Sequence, residues 1–381
     1  MSTTTENQPQ RTLAAVGAIT IIIGIVVGAG IFRTPSLVAG VTGDVGWVLT
    51  VWILGGVISL IGALCYAELA TTYPHAGGDY HFLSRAYGRN ISFLYAWAKA
   101  MVINTGSIAL LAFVFGDYLS TLWPMGTHSS AWWALIIVLA LTAVNILGLS
   151  FAAHLQTLFT AFVFFGLLLV AMSVFGIDTP ASVTPPAFSS TPPLGLLGLA
   201  MVFVLLTFGG WNESAYISAE LKGGSRTMIV GARSNYALGR DWQGLKTLGQ
   251  WEPNRSTPIS AYVVQSVIAV ALIGLGSLYA DGFEAMVEFT APVFWGFLCL
   301  VGLALMRLRR IDPKTPRPFK VPLYPVLPII FCLTCAYLTY SSVLYAQSQG
   351  AIHVSFLVMA AGVVALWLLI VRQKRTDQLG V

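Results

Sequence analysis

The stretch Ile25-Val26-Val27-Gly28-Ala29-Gly30-Ile31-Phe32 decides the reading of this chain, because it sets two glycines inside an apolar run long enough to cross a membrane. In hydrocarbon an unpaired peptide group is expensive, so broken backbone persists at that depth only where protein or a watery cavity surrounds it. A second interruption, Phe208-Gly209-Gly210-Trp211-Asn212, falls in a later apolar run. Two interrupted helices in one polytopic chain point to a substrate site near the bilayer midplane, the arrangement of secondary transporters.

The 381 residues are 56% hydrophobic and only 9% charged, with mean hydropathy +0.78. A soluble domain is excluded. Apolar runs recur over residues 13–33, 46–72, 91–119, 131–149, 155–176, 196–220, 258–278, 286–306, 323–345 and 351–371. They predict an all-α polytopic membrane helix bundle of about ten spans, filling one domain over residues 1–381. The stretch up to Gln10 is polar and lacks a charged segment ahead of a cleavage site, so no signal peptide is expected. Cys65, Cys299, Cys332 and Cys335 all lie in apolar runs. The Cys332-x-x-Cys335 spacing admits a redox or metal pair, but within a helix the pair reads better as packing residues.

The basic residues orient the bundle. With the N-terminus inside, the tail 1–11, the loop 222–257 and the tail 372–381 are cytoplasmic. Arg11, Arg85 and Arg89 then fall inside, with Lys222, Arg226, Arg233, Arg240, Lys246 and Arg255 in one loop. Arg307, Arg309, Arg310, Lys314, Arg317 and Lys320 occupy the next, and Arg372, Lys374 and Arg375 the tail, so 18 of the 20 Lys and Arg residues agree. Arg33 alone lies outside and Lys99 alone within the bilayer. The net charge of +5 is therefore a topology signal, and no nucleic-acid partner is expected.

A helix broken at midplane leaves N–H groups free at the start of its second half and carbonyls free at the end of its first. The N–H groups around Gly28, Ala29, Gly30 and Ile31 can hold a carboxylate, helped by the positive end of the half-helix dipole. Carbonyls near Phe208 and Gly209 can accept from an ammonium. Together they match the zwitterionic head of an amino acid. Either glycine pair alone could equally mark close helix packing; the paired occurrence, in the first and sixth spans, favours a site. Val26, Gly210, Trp211 and Asn212 complete its expected lining, with Asn104 reaching in from the third span or bonding another helix. Ile22, Val26, Phe208 and Trp211 are apolar, so a neutral amino acid is the expected cargo.

Ionisable residues in membrane helices are functional candidates by default. Glu68, Lys99, Glu213 and Glu220 qualify as coupling or gate residues. Lys99 either carries a proton or snorkels to the inner interface. Glu68 and Glu220 are expected to pair with loop arginines, such as Arg85 or Arg226, in an inner gate. Glu213 follows the second break and is the better coupling group, although a carboxylate at a helix start also has a structural rationale. The five histidines, at 75, 81, 128, 154 and 353, are scattered. No metal site, cofactor or catalytic cluster is expected.

These residues resemble a known family. Gly28-Ala29-Gly30-Ile31-Phe32 is similar to the Gly-Ser-Gly-Ile-Phe break of the amino acid–polyamine–organocation superfamily. Tyr66-Ala67-Glu68-Leu69-Ala70 and Tyr73-Pro74-His75-Ala76-Gly77-Gly78-Asp79-Tyr80 resemble its L-type amino acid transporter branch. So do Thr207 to Asn212, Tyr236 to Asp241 and Arg317 to Pro325, in register from about residue 12 to 372. The resemblance implies two inverted five-helix repeats plus two extra helices, and amino acid transport by alternating access. Members carry twelve spans. Here Lys222 to Thr257 is too short and polar to supply the seventh helix, the outer loop and most of the eighth, which by resemblance lines the substrate site. Ala29 stands where a serine is usual, keeping the backbone donors, and Val163 stands where many bacterial relatives carry lysine.

The expectation is thus a multi-pass cell-membrane permease with both termini cytoplasmic, moving amino acids by proton coupling or exchange. Its partners are the amino acid and the lipid bilayer, with protons and a second subunit left open. The competing expectation is a non-transporting remnant or an amino acid-binding membrane protein. An enzyme is disfavoured.

Overall fold

The computed structural model describes residues 28, 30–75, 77–147, 149–173, 175, 188, 191–213, 259–349 and 352–379. Among them no β-strand occurs, and the molecule is the all-α membrane bundle that hydropathy predicts. In chain order the helices are α1 Gly30–Thr42, α2 Val45–Thr72, α3 Asp79–Tyr87 and α4 Arg89–Leu122. There follow α5 Ser129–Leu147, α6 Leu149–Ser173, α7 Leu194–Thr207, α8 Ile259–Gly276, α9 Gly282–Ile311, α10 Val326–Gln349 and α11 Ile352–Leu379. Seven of these are long and apolar enough to cross a membrane, with Leu158–Ser173 and Leu194–Thr207 as shorter apolar helices. These nine lie on the second to tenth expected spans. Residues 13–27 of the first lie outside the described residues.

Local chemistry sets the helix ends. Asp44 caps α2, accepting from the amides of Gly46 at 2.8 Å and Trp47 at 3.4 Å. The same oxygen accepts from the Phe188 amide at 2.9 Å, which ties a distant segment to this cap. Asp281 caps α9, accepting from Glu284 N at 3.0 Å, and Arg309 and Arg310 fill its last turn. That cap starts the helix at Gly282 instead of the expected 286. α1 runs on to Thr42 through Pro35, well past the expected end at 33.

Small residues govern the packing, as they do wherever membrane helices approach closely. Gly106 of α4 admits Phe289 and Thr290 of α9, and Gly62 of α2 admits Trp211 and Phe331. α9 packs most extensively on α10, while α7 lies against α1, α2 and α10. α6 differs from the rest. It packs chiefly on α5, and Phe159, Phe162, Phe164, Phe165, Leu168 and Leu169 are all at least half exposed.

Charges concentrate at the two ends of the bundle. At one end Arg33 of α1 bridges Asp117 of α4 at 3.2 Å and Asp281 at 2.5 Å. At the other end Glu68 of α2, 1% exposed, binds the Arg309 guanidinium with both oxygens, one of them at 2.7 Å from Nε. It also meets Arg317 at 3.4 Å and accepts from the Val321 amide at 2.7 Å. Beside it Arg85 pairs with Asp312 at 3.2 Å, and the Tyr73 hydroxyl donates to the same oxygen at 3.1 Å. Glu68 thus meets arginines of the set expected inside, Arg309 and Arg317 in place of Arg85, which faces the residue just past the end of α9. Glu220 and Arg226 lie outside the described residues.

Candidate functional site

The second interruption is a real change of backbone. α7 ends at Thr207, and the Phe208 amide still reaches Val204 O at 3.0 Å. Gly210 then takes φ +94°, a conformation that glycine adopts without steric cost. A short 3-10 turn, Trp211–Glu213, follows, closed by Glu213 N to Gly210 O at 3.0 Å.

This break divides the side chains between two faces. Phe208 and Trp211 turn to α2, where Phe208 packs edge-on against Trp52 at 5.5 Å and Trp211 against Tyr66 at 5.2 Å. In this conformation their rings pack there, outside the lining of the cavity described below. Asn212 and Glu213 turn the other way, toward α4.

The first interruption faces the second. Gly28 lies outside any helix and Gly30 opens α1, with Ile31 half-buried next to it. A Cβ at Gly30 would sit 3.3 Å from both Cα and Oγ1 of Thr207. The Thr34 hydroxyl donates to Gly30 O at 2.9 Å and hydrogen-bonds the Thr207 hydroxyl, so the start of α1 is joined to the end of α7. Val26 and Ala29 lie outside the described residues.

α4 supplies the third wall through a π-helical turn at Lys99–Ile103, a feature that frequently marks functional sites. The turn aims Lys99 inward. Its ammonium, on a side chain only 1% exposed, donates to both Glu213 oxygens at 3.1 and 3.3 Å. Snorkelling is thereby corrected: the membrane cation is satisfied by a carboxylate in the interior, and the coupling residues expected separately are one ion pair. Tyr95, one turn before Lys99, donates its hydroxyl to Asp79 at 2.7 Å. Burial pushes the Asp79 carboxyl up from its ordinary value, against the pull of the Lys99 charge and the Tyr95 hydrogen bond.

Between these groups lies a cavity of about 10 Å³, walled on its polar side by Tyr66, Asp79, Tyr95, Lys99, Asn212 and Glu213. Its apolar side is α9, through Phe294, Phe297, Leu298 and Val301. That is room for roughly one water molecule among the described residues. Asn104 follows the π turn, half-buried and outside this lining. Among the described residues no group of three or more His, Cys, Asp or Glu side chains is placed to hold a metal ion. Cys299 and Cys332 meet where α9 packs on α10, the Cys299 thiol donating to Cys332 O at 3.5 Å.

Sequence reasoning missed Asp79 and Tyr95. Asp79 carried a signal, being the charged residue inside the Gly77-Gly78-Asp79-Tyr80 stretch, and Tyr95 stands four residues before Lys99 and so shares its helix face.

Comparison with known proteins places the chain in a family. The chain matches the amino acid permease family over residues 13–237. It is 26% identical to the b(0,+)-type amino acid transporter 1 of Mus musculus, covering 86% of this chain and 82% of that protein. It is 32% identical to the Asc-type amino acid transporter 1 of Homo sapiens over 224 residues, 56% of this chain and 42% of that protein. Similarity to the large neutral amino acids transporter small subunit 2 of Mus musculus reaches 34% over 226 residues, again 56% and 42%. The b(0,+)-type alignment spans 405 positions, more than the 381 residues of the whole chain, so that relative carries residues this chain lacks within the aligned region. With the interrupted helices, the polar cavity and these matches in hand, the chain belongs to the amino acid permease family, a transporter of the amino acid–polyamine–organocation superfamily resembling its L-type branch.

Proposed function

We propose that this protein moves neutral amino acids across the cell membrane by alternating access, with the substrate held where the start of α1 meets the end of α7. The observation that carries the reading is the broken backbone at Phe208–Gly210, joined through Thr207 to the helix start at Gly30. The amides at the start of α1 hold the carboxylate of the cargo and the carbonyls after Thr207 its ammonium. Gly28, Ala29, Gly30 and Ile31 serve the first role, Phe208 and Gly209 the second, with Val26 and Asn104 alongside. Both termini and the Arg309 end face the cytoplasm, in keeping with the positive-inside distribution.

The closed cavity is too small for an amino acid. Entry requires the Lys99–Glu213 pair to part, or α1 and α7 to separate at Thr34 and Thr207. Glu68, Arg309 and Arg317 form the inner gate of this cycle, and Arg33 with Asp117 and Asp281 the outer one.

The test is uptake of a labelled panel of neutral amino acids into proteoliposomes, with Gly30→Trp as the control. A Cβ at Gly30 already meets Thr207 at 3.3 Å, so an indole there forces the half-helices apart. Saturable, stereoselective uptake abolished by Gly30→Trp is the expected result. A second reading, an amino acid-binding protein that does not transport, is favoured by the residues this chain lacks relative to its b(0,+)-type relative. Substrate binding by monodisperse protein with no uptake establishes that reading in place of the first.

A further inference from the structure

Glu288 is a carboxylate in the first half of α9, only 4% exposed. Its Oε2 is buried and accepts no hydrogen bond among the described residues. No ion pair reaches it there. The charge acting on it is Glu284, one turn earlier on the same helix, and the other ionisable neighbour is Tyr345 of α10, whose hydroxyl bonds Glu284 at 3.3 Å.

Among the described residues, the elements packed around α9 offer it no cation. α8 and α10 contain no Asp, Glu, Lys or Arg. On α4, Lys99 is held by Glu213, Asp117 is held by Arg33, and Arg89 sits at the opposite end of the helix. α11 reaches this stretch through Ser355, which donates to Phe289 O at 2.7 Å; its His353 is exposed, and its Arg, Lys and Asp residues lie in the final turns. α2 and α3 bring Glu68, Asp79 and Arg85 to the other half of α9, where Arg309 and Asp312 engage Glu68 and Arg85.

A second feature coincides with the first. Pro292, inside α9, has no N–H to donate to the Glu288 carbonyl one turn back. Residue 288 therefore carries both a buried carboxyl and a backbone carbonyl deprived of its usual helical donor. A buried carboxylate with no counter-charge takes up a proton in preference to staying ionised.

We propose that Glu288 is a proton-binding site, protonated in this closed conformation and ionised when α9 moves, through which a pH gradient drives transport. In the step one proton passes from hydronium to the carboxylate: an O–H bond of hydronium breaks, the carboxyl O–H bond forms, and a water molecule is left. α9 is suited to transmit it: the helix begins at the Arg33 bridge, lines the cavity through Phe294 and Phe297, and ends in the Arg309 clamp. The proton site stands on the geometry of α9 alone; its coupling to transport rests on the permease reading above.

Two readouts separate these claims. Infrared titration of the purified protein reads the carboxyl directly, without any transport. A protonated-carboxyl band that disappears on raising the pH, is absent from Glu288→Gln and is shifted in Glu288→Asp is the expected result. Glu284→Gln should leave the band in place. The same band in Glu288→Gln, or no such band in wild type, overturns the proposal. In proteoliposomes Glu288→Gln should keep amino acid exchange and lose accumulation driven by an inward proton gradient. Unchanged gradient-driven accumulation also overturns it, whereas absence of all uptake in wild type counts against the permease reading and leaves the infrared result to decide the proton site.

Discussion

Removing Glu213 alone takes from the Lys99 ammonium, on a side chain 1% exposed, the carboxylate to which it donates. Breaking one side of a buried pair costs about 3–5 kcal/mol, whereas replacing both partners with apolar residues of similar size is often close to neutral. Glu213→Leu should therefore lower thermal stability sharply, and Lys99→Met with Glu213→Leu should restore most of the loss. Equal losses in the single and double variants would mean that the pair is not coupled. Both residues were legible as ionisable groups in membrane helices. Their pairing was not, because it joins residues 114 apart in sequence and depends on a π turn that no composition signal announces. For Phe208 and Trp211, proximity to the break was legible, but the Gly210 conformation beside which their rings pack on α2 was not.

At the scale of elements, helix existence followed from hydropathy, whereas helix ends are set by capping that hydropathy does not register. Asp44-Val45 and Asp281-Gly282 carry the cap signal in sequence, and both act as caps. The bonds made by Asp44 go further than a cap requires, since one oxygen also holds the Phe188 amide, and the Phe188 ring fills the space that a side chain at Gly46 would need, with contacts at 2.9 Å. Asp44→Ala should therefore cost more than the about 1 kcal/mol typical of a lost cap. Asp44→Ser, which preserves a cap acceptor, should recover part of it in thermal unfolding. Identical melting of both variants and wild type would show that the cap and the Phe188 contact contribute nothing. What was illegible at this scale is which helix each charged end would meet: Glu68 awaited an arginine, but only the placement of α9 beside α2 selects Arg309 over Arg85.

Across the whole molecule the described ion pairs gather at the two ends, around Arg33 at one and around Glu68 and Asp312 at the other. Asp312 lends itself to a pH test. The Thr315 hydroxyl first, then Tyr73 and Arg85, hold its carboxyl below its ordinary value. A folded value lower than the unfolded one stabilises the protein at pH above about 3.9, the unfolded value, and that contribution disappears as pH falls through the folded value. The melting difference between wild type and Asp312→Asn should accordingly be constant near neutrality and close in acid. A difference that stays the same into strong acid would remove Asp312 from the clamp.

α6 has a consequence of another kind. A helix that packs chiefly on one neighbour and turns phenylalanine and leucine outward on most sides has its tilt and depth decided by the surrounding acyl chains more than by protein. The thickness of the host bilayer thus becomes part of this protein's tertiary structure, and a detergent micelle, lacking that thickness, is a different solvent for α6 than for the α4–α9–α10 core.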